Sequence, residues 1–264
     1  MGEAKNRQRV RQTTTQKLIS EHPFCCFCGG LAPTTTIDHR PPIILFPNKL
    51  RPKGLEFPSC IACNGGASPD DAVLALAGRL CGSSSRPDMQ DPDSHFDRVV
   101  RAVESGFPSM VAQLMVEPQW VLLNGVLRKV DQFRIDNPAL SESLCRSSAR
   151  LAVALYYEEF DRAVSVGSTV RSYWSHNQVR DLNKIQRLIS RLPKDVVLKQ
   201  GKKWDTEGVF FARHNSDKNR FVMIAVTYRT LVLFATIQGL DSGRFSKGQY
   251  TYTVEEGRGL VKMV

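Results

Sequence analysis

The chain has no apolar run near the roughly 20 residues that cross a bilayer, and no apolar segment follows the basic residues near its N-terminus. A membrane partner and a secretory signal are therefore not expected. Cysteine is also scarce, at seven of 264 residues, which is too few for a fold held together by disulfide bonds. We expect a cytoplasmic protein whose reduced thiols serve as metal ligands or as small buried residues.

Acidic residues are outnumbered. Lys and Arg total 36 against 26 Asp and Glu, which gives a formal net charge of +10 and favours a polyanionic partner, nucleic acid before an anionic membrane. Residues 1–66 hold nine Lys and Arg against four Asp and Glu, so this quarter of the chain carries +5. The same segment holds five of the seven cysteines.

The length and the pattern of apolar residues predict two domains. Residues 83–94 are rich in Ser, Pro and Asp without apolar periodicity, which is typical of a linker between domains at 1–82 and 95–264. In the second domain, apolar residues recur at helical spacing from Leu144 to Phe160, and Asn124-Gly125 separates two apolar runs as in a β-hairpin. Three antiparallel strands are expected between Val209 and Ile237. The predicted class is α+β, with a mixed helical and antiparallel-sheet domain after a small metal-bound module.

Two Cys-x2-Cys pairs stand in the first domain and can supply the four thiolates of a structural zinc site. The predicted ligands are Cys25, Cys28, Cys60 and Cys63. Gly pairs follow both motifs and are expected to let the backbone turn around the ion. Cys26 is an alternative to Cys25, and burial of all five thiols as small apolar residues is the simplest alternative to metal binding.

A second set of polar residues is expected near the zinc site. Asp38-His39 lies between the two cysteine pairs, and Asn64 directly follows Cys63. Carboxylate and amide oxygens suit Mg²⁺ or Mn²⁺, and a neighbouring imidazole can deprotonate water. This combination favours phosphodiester hydrolysis. A helix is predicted to begin at Ser68-Pro69 after these residues.

At these residues the sequence resembles the HNH, or ββα-metal, nucleases, and especially the zinc-stapled type seen in endonuclease VII-like resolvases. The resemblance covers about residues 20–82 and rests on both cysteine pairs, on Asp38-His39 before Pro41-Pro42, and on Asn64. It implies a small ββα-metal module in which His39 is the general base, Asp38 and Asn64 hold a catalytic Mg²⁺ or Mn²⁺, and the four cysteines hold structural Zn²⁺. The implied activity is that of a metal-dependent endonuclease acting on nucleic acid, with DNA the expected substrate.

One departure from the family pattern motivates another interpretation. The family often has an Asn five or six residues before the third zinc-ligand Cys, where this chain has Leu55 and Gly54. A zinc-containing nucleic-acid-binding module with weak or absent nuclease activity is therefore one alternative. Another is a host-defence or toxin nuclease in which residues 95–264 restrain the activity.

Several basic residues lie between the catalytic His and Cys60, where they are predicted to contact phosphates or, alternatively, only to keep an irregular loop soluble. They are Arg40, Lys49, Arg51 and Lys53. Tryptophans such as Trp120 and Trp174 are expected in the core or in subunit contacts. Because a single-metal site cuts one strand, cleavage of both strands would favour a homodimer or two sequential nicks.

Overall fold

The computed structural model describes the chain from residue 15 to residue 262 with several gaps. The described residues are 15–47, 50–81, 93–134, 136–176, 187, 189–196, 198, 209–216, 220–238, 250–255 and 259–262. Most of the predicted linker lies outside them, as do Lys49 and the basic residues before residue 15. None of the described helices has the length and apolar character that a membrane span requires.

The N-terminal part of the fold consists of a short strand pair followed by a long helix. A helical segment at residues 15–21, α1, precedes a loop with the first cysteine pair. Strands β1 (Thr36–His39) and β2 (Glu56–Ser59) then pair antiparallel, so that Asp38 faces Phe57 across the ladder. Helix α2 (Ile61–Cys81) follows directly.

Helix α2 begins seven residues earlier than predicted, at Ile61 rather than at Ser68-Pro69. Cys60 caps its first turn, because its sulfur accepts a hydrogen bond from the Cys63 amide at 3.4 Å and its carbonyl accepts one from Asn64. Pro69 therefore lies inside the helix. The prediction was wrong because a proline in the first turn is the commoner arrangement, whereas this helix starts at the cysteine motif.

The remaining described elements form the predicted mixture of helices and antiparallel strands, which confirms the α+β class. The helices are α3 (Asp93–Gly106), α4 (Met110–Leu114) and α5 (Pro138–Phe160). A ribbon of two strands, β3 (Met115–Leu123) and β4 (Val126–Phe133), turns at Asn124-Gly125 as predicted.

A seven-stranded antiparallel sheet completes the described fold, in the order β11-β10-β5-β9-β8-β7-β6. Its strands are β5 (Thr169–His176), β6 (Lys194–Val196), β7 (Phe210–Ser216), β8 (Arg220–Thr227), β9 (Leu231–Gln238), β10 (Tyr250–Glu255) and β11 (Gly259–Lys262). The three strands expected between Val209 and Ile237 are thus confirmed as β7, β8 and β9.

The main hydrophobic core joins residues of both predicted domains. One continuous cluster includes Phe27 and Phe57 from the cysteine-bearing segment, Val73 of α2, Leu151 of α5 and Leu233 of β9. Helix α2 packs against both α3 and α5. The N-terminal segment therefore packs directly against α5 and the sheet.

Candidate metal centre and adjoining cleft

The two cysteine pairs converge on one point. The sulfur atoms of Cys25, Cys28, Cys60 and Cys63 all lie within 4.8 Å of one another, and the four residues are buried. In a tetrahedral site with Zn–S bonds of about 2.3 Å, the sulfurs are about 3.8 Å apart. The donor set and its spacing fit Zn²⁺, so the four predicted zinc ligands form a cluster that is positioned to bind a metal ion.

Backbone hydrogen bonds stabilise the sulfurs of this cluster. The Phe27 amide donates to the Cys25 sulfur at 3.4 Å, as Cys63 does to Cys60. The Cys26 amide donates to the carbonyl of Pro58 at 3.0 Å and so ties the first pair to the strand that leads to the second. Such outer contacts orient metal ligands and favour their thiolate form.

The thiols also influence each other's ionisation. A hydrogen bond from the Cys63 thiol lowers the pKa of Cys25 to about 5, against the opposing effect of burial. Burial raises the pKa of Cys28 to about 11. A sulfur that ionises easily within a group of buried thiols is suited to begin binding a cation.

The glycines that follow the two motifs have different roles. Gly29 and Gly30 have φ angles of +77° and +78°, which allow the tight turn expected after Cys28. Gly65 and Gly66 instead lie within α2, and a Cβ at either position would meet nothing within 4 Å. The expectation that this second pair turns the backbone around the ion was wrong, because the capped helix starts before it.

Three predicted catalytic residues line one cleft of about 620 Å³. Asp38 and His39 come from the end of β1, and Asn64 from the first turns of α2. The loop after β1 and the end of α3 form the other walls. The antiparallel register of β1 and β2 and the direct start of α2 bring these residues together although 24 residues separate His39 from Asn64.

Asp38 is almost closed to solvent and is bound by two arginines. Its Oδ2 accepts hydrogen bonds from Arg40 at 2.8 and 3.1 Å and from Arg150 of α5 at 3.0 Å. Burial alone would raise the pKa of this carboxyl, but the two guanidinium groups outweigh burial and lower it. Asp38 is thus a carboxylate, and its Oδ1 accepts no hydrogen bond among the described residues.

The side chain of His39 makes no hydrogen bond in the part of the chain that the structure describes, and the carboxylate of Glu56 lies near it, with Nε2 and Oε1 4.0 Å apart. Burial lowers its pKa from the ordinary value of 6.5, and the positive charge of Arg51 lowers it further. The neutral imidazole, which can take a proton, is therefore favoured at neutral pH.

Asn64 is held in place by β1. Its amide nitrogen donates to the carbonyl of Ile37 at 3.1 Å and to the hydroxyl of Thr36. Its side-chain carbonyl oxygen accepts no hydrogen bond among the described residues. Both this oxygen and Oδ1 of Asp38 are of the hard type that Mg²⁺ and Mn²⁺ prefer, as are the carboxylate oxygens of Asp71, which lines the same cleft.

Arg51 takes a structural position that sequence reasoning missed. Its guanidinium donates to the carbonyls of Arg40 and Pro41, which directly follow His39, and to those of Gly54 and Leu55. Arg51 therefore holds the loop after His39 in place. It does so through Gly54 and Leu55, the positions at which HNH nucleases often have an Asn. The sequence held a signal for this role, since Arg51 lies among prolines and before a glycine, in a loop whose backbone carbonyls need hydrogen-bond donors. It was missed because a basic residue beside a nuclease motif more readily indicates a phosphate contact.

The predicted phosphate contact by Arg40 was wrong. Its side chain is 1% exposed and is paired with Asp38 and, at 2.6 Å, with Asp71 of α2. A phosphate in solvent cannot reach it. Arg51 is partly buried by the loop carbonyls, while Lys53 is exposed; Lys49 lies outside the described residues.

Asp71 and Arg150 also belong to this site, and neither was predicted. Burial raises the pKa of Asp71, which lines the cleft, to about 6. Arg150 stacks on the ring of Phe27 at 4.7 Å while it binds Asp38, and so connects the first cysteine pair to the cleft. The position of Arg150 directly before the apolar run from Leu151 to Leu155 of α5 was the signal for a buried ionic partner.

Comparison with protein families, with curated proteins and with solved structures finds no match to this chain.

Proposed function

We propose that the protein is a metal-dependent endonuclease of HNH type that hydrolyses phosphodiester bonds of nucleic acid, with DNA as the expected substrate. The observation that carries this proposal is the cleft in which Asp38, His39 and Asn64 meet, in a strand–strand–helix unit built on a four-cysteine cluster. An imidazole that makes no hydrogen bond, in one cleft with a carboxylate oxygen and an amide oxygen that accept none, supports hydrolysis by activated water.

In the proposed reaction, His39 takes a proton from a water molecule, which attacks the phosphorus in line as the bond to the 3′ oxygen breaks. Oδ1 of Asp38 and Oδ1 of Asn64 would hold Mg²⁺ or Mn²⁺. When bound, such a cation supplies Lewis-acid stabilisation of the phosphate and of the leaving oxygen. Two protein ligands are a suitable number, because Mg²⁺ in phosphate chemistry keeps several waters and binds the substrate directly.

Zinc is proposed to have a structural role only. All four thiolates point to a single centre, and a closed tetrahedral site leaves no position for water or substrate. The cluster positions the start of α2 and hence Asn64, which lies one residue beyond Cys63.

The decisive experiment compares the full chain with the variant His39→Ala on plasmid DNA, with Mg²⁺ or Mn²⁺ and with an EDTA control. The variant should cleave about 10²–10⁴-fold more slowly, because a general base contributes that factor. Its zinc content and its unfolding temperature should stay as in the wild type. His176→Ala is the matched control, since this histidine of β5 does not line the cleft. Equal cleavage by His39→Ala and wild type would refute the assignment.

A second candidate function is a zinc-containing nucleic-acid-binding module without strong nuclease activity. It is favoured by the two arginines on Asp38, because their charges oppose the approach of a divalent cation to the same carboxylate. The same assay separates the candidates. Retention of DNA by the wild-type chain without cleavage under either metal would support the binding module.

A further inference from the structure

One wall of the cleft is a single turn of 3₁₀ helix, Ile43–Leu45, which we call the cleft turn. The side chains of Ile43 and Ile44 line the cleft, and Ile43 is exposed to solvent. Inside the turn, the amides of Leu45 and Phe46 donate to carbonyls three residues earlier. The carbonyls of Ile44 and Leu45 therefore need donors from another part of the chain, because a buried carbonyl without a partner is costly.

Both carbonyls are bound by buried side chains of the second segment. Nε2 of His95, near the start of α3, donates to the carbonyl of Ile44 at 3.0 Å. The hydroxyl of Tyr228, in the turn between β8 and β9, donates to the carbonyl of Leu45. His95 is fully buried and Tyr228 nearly so, which keeps water from replacing either donor. The cleft turn is thus held by partners 51 and 183 residues away in sequence.

Arg79 of α2 joins these two side chains into one network. Its guanidinium donates to Nδ1 of His95 at 3.0 Å and lies over the ring of Tyr228, 5.2 Å from the ring centre. Because a guanidinium can only donate and a carbonyl can only accept, Nδ1 of His95 is the acceptor and Nε2 carries the proton. The neighbours of His95 therefore fix both its orientation and its tautomer.

Helix α3 contributes another wall, and its two ends are fixed to different parts of the cleft. Ala102, Ser105 and Gly106 line the cleft near the end of the helix. A Cβ at Gly106 would lie only 2.7 Å from Cβ of Pro69, so this end is in close contact with α2. His95, near the start of α3, holds the cleft turn. The helix thus fixes the cleft turn relative to the second wall and sets the width of the cleft.

An ordered wall favours the binding of nucleic acid in this cleft. The ligand does not have to order the cleft turn when it binds, so less of the interaction energy is lost. Nucleic acid that reaches Asp38 and Asn64 enters the cleft that Ile43 lines, and an apolar side chain of this kind can contact its bases.

We propose that His95 and Tyr228 are positioning residues, which hold the cleft turn in the form that binds nucleic acid. The second segment, from α3 onward, then completes the binding site and does not restrain it. This role rests on the proposed function, because nucleic acid is taken as the ligand of the cleft.

Binding of a fluorescently labelled duplex DNA oligonucleotide to the full chain, in EDTA to prevent cleavage, tests the proposal. Tyr228→Phe removes one hydroxyl group and should weaken binding about 3–10-fold. His95→Leu should weaken it at least as much, and His95→Gln should recover part of the loss, because its amide can still donate to Ile44. Tyr173→Phe is the matched control with unchanged binding, since Tyr173 lies in β5 and does not line the cleft.

Hydrogen exchange without DNA measures directly how firmly the cleft turn is held. In Tyr228→Phe, the amides of Leu45 and Phe46 should exchange several-fold faster than in the wild type, while peptides from the β3–β4 ribbon keep the wild-type rate. Unchanged exchange of these two amides would overturn the proposed hold on the turn.

Cleavage kinetics with Mg²⁺ separate positioning from a general loss of stability. The KM of Tyr228→Phe should rise by the same factor as its dissociation constant, with kcat within about twofold of the wild type. A chain that is merely less stable would have fewer intact sites, so its kcat would fall and its KM would stay unchanged.

The outcomes distinguish this inference from the endonuclease assignment. A wild type that binds and cleaves DNA, with both constants unchanged in Tyr228→Phe and His95→Leu, would overturn the inference alone. Tighter binding or faster cleavage by either variant would also overturn it and would assign a restraining role to the second segment. Binding without cleavage by the wild type, weakened in both variants, would refute the endonuclease and support the inference. A wild type that neither binds nor cleaves would overturn both.

Discussion

Asp38 has a charge environment that differs from that of an ordinary metal-binding carboxylate. Two guanidinium groups share its Oδ2, and Asp71 balances the second charge of Arg40. A buried cluster of two acids and two arginines is electrically neutral, and each charge has a partner, which is the condition under which charges are tolerated in a protein interior. The arginines fix the orientation of the carboxylate through Oδ2, and Oδ1 accepts no hydrogen bond among the described residues.

Single cysteines should differ sharply in their effect on zinc binding. We expect the wild type to hold about one zinc ion per chain and Cys25→Ala to lose it, because three thiolates bind far more weakly than four. Cys26→Ala should keep the zinc, since Cys26 is buried beside the cluster but does not belong to it. Elemental analysis of both purified variants checks this, and loss of zinc from both would contradict the assignment of Cys25.

His214 should make stability depend on pH. Burial lowers its pKa from the ordinary value of 6.5, and the charge of Lys194 lowers it further while Glu159 opposes this effect. The unfolded chain therefore takes up a proton at higher pH than the folded chain, so stability falls as the pH drops below about 6.5.

The variant His214→Phe should remove this contribution while keeping the stacking on Phe221, whose ring centre lies 5.1 Å away. Urea unfolding at about pH 7.5 and about pH 5.5 measures the effect. The wild type should lose more stability between the two values than the variant does. Equal losses would show that His214 does not titrate differently on folding.

Among the elements, α2 has the largest number of distinct roles. Its first turn carries Cys63 and Asn64, its middle lines the cleft at Asp71, and its second half packs against α5 and the turn after β8. The N-cap serine and the first-turn proline predicted a helix from Ser68-Pro69 onward. The first two turns depend on the cysteine cap at Cys60, which a pattern of apolar residues does not reveal.

Two glycines of α2 should respond in opposite directions to the same substitution. A Cβ at Gly78 would lie 2.4 Å from Cδ2 of Tyr228, whose ring is buried and whose hydroxyl donates to the carbonyl of Leu45. Because this ring has little freedom to move, Gly78→Ala should reduce the free energy of unfolding by about 1–3 kcal/mol.

Gly66→Ala should instead raise the free energy of unfolding by about 0.5–1 kcal/mol, since the site is open and alanine favours a helix. Denaturant titration of both variants measures the difference. A stabilised Gly78→Ala would mean that α2 and the β8–β9 turn do not pack as closely as the structure has them.

The cysteine-bearing segment and the seven-stranded sheet share one hydrophobic core. Arg150 crosses 112 residues of sequence to reach Asp38, and the methyl group of Val166 occupies the space that a side chain at Gly29 would need. These contacts link the predicted domains 1–82 and 95–264. The division into two domains stays a prediction, which rests on the composition of residues 83–94.

We expect the full chain to unfold in one transition. Zinc release, followed with a coloured chelator, reports on the cysteine cluster, and the fluorescence of tryptophans in the second segment reports on the other part. The two denaturation curves should coincide because the core is continuous. Separate midpoints would contradict this expectation.

Arg150→Met should shift the midpoints of both denaturation curves together and reduce the free energy of unfolding by about 3 kcal/mol, because it leaves the buried Asp38 with one ionic partner in place of two. Arg213→Met is the control, since its ion pair with Asp195 is exposed and is worth at most about 1 kcal/mol. A loss for Arg150→Met no greater than that of the control would mean that the contact with Asp38 contributes little.

The cysteine pairs that meet in one cluster, the α+β class and the hairpin at Asn124-Gly125 could all be predicted from the sequence, because each depends on spacing or on conformational preferences within a few residues. The sequence also drew attention to Asp38, His39 and Asn64, which short connections carry to one cleft. The burial of Arg40, the hold of Arg51 on the loop after His39, and the contact of Arg150 with Asp38 became visible only in the folded chain. A side chain's burial and its ionic partner depend on segments distant in sequence, and no local pattern shows which segments approach each other.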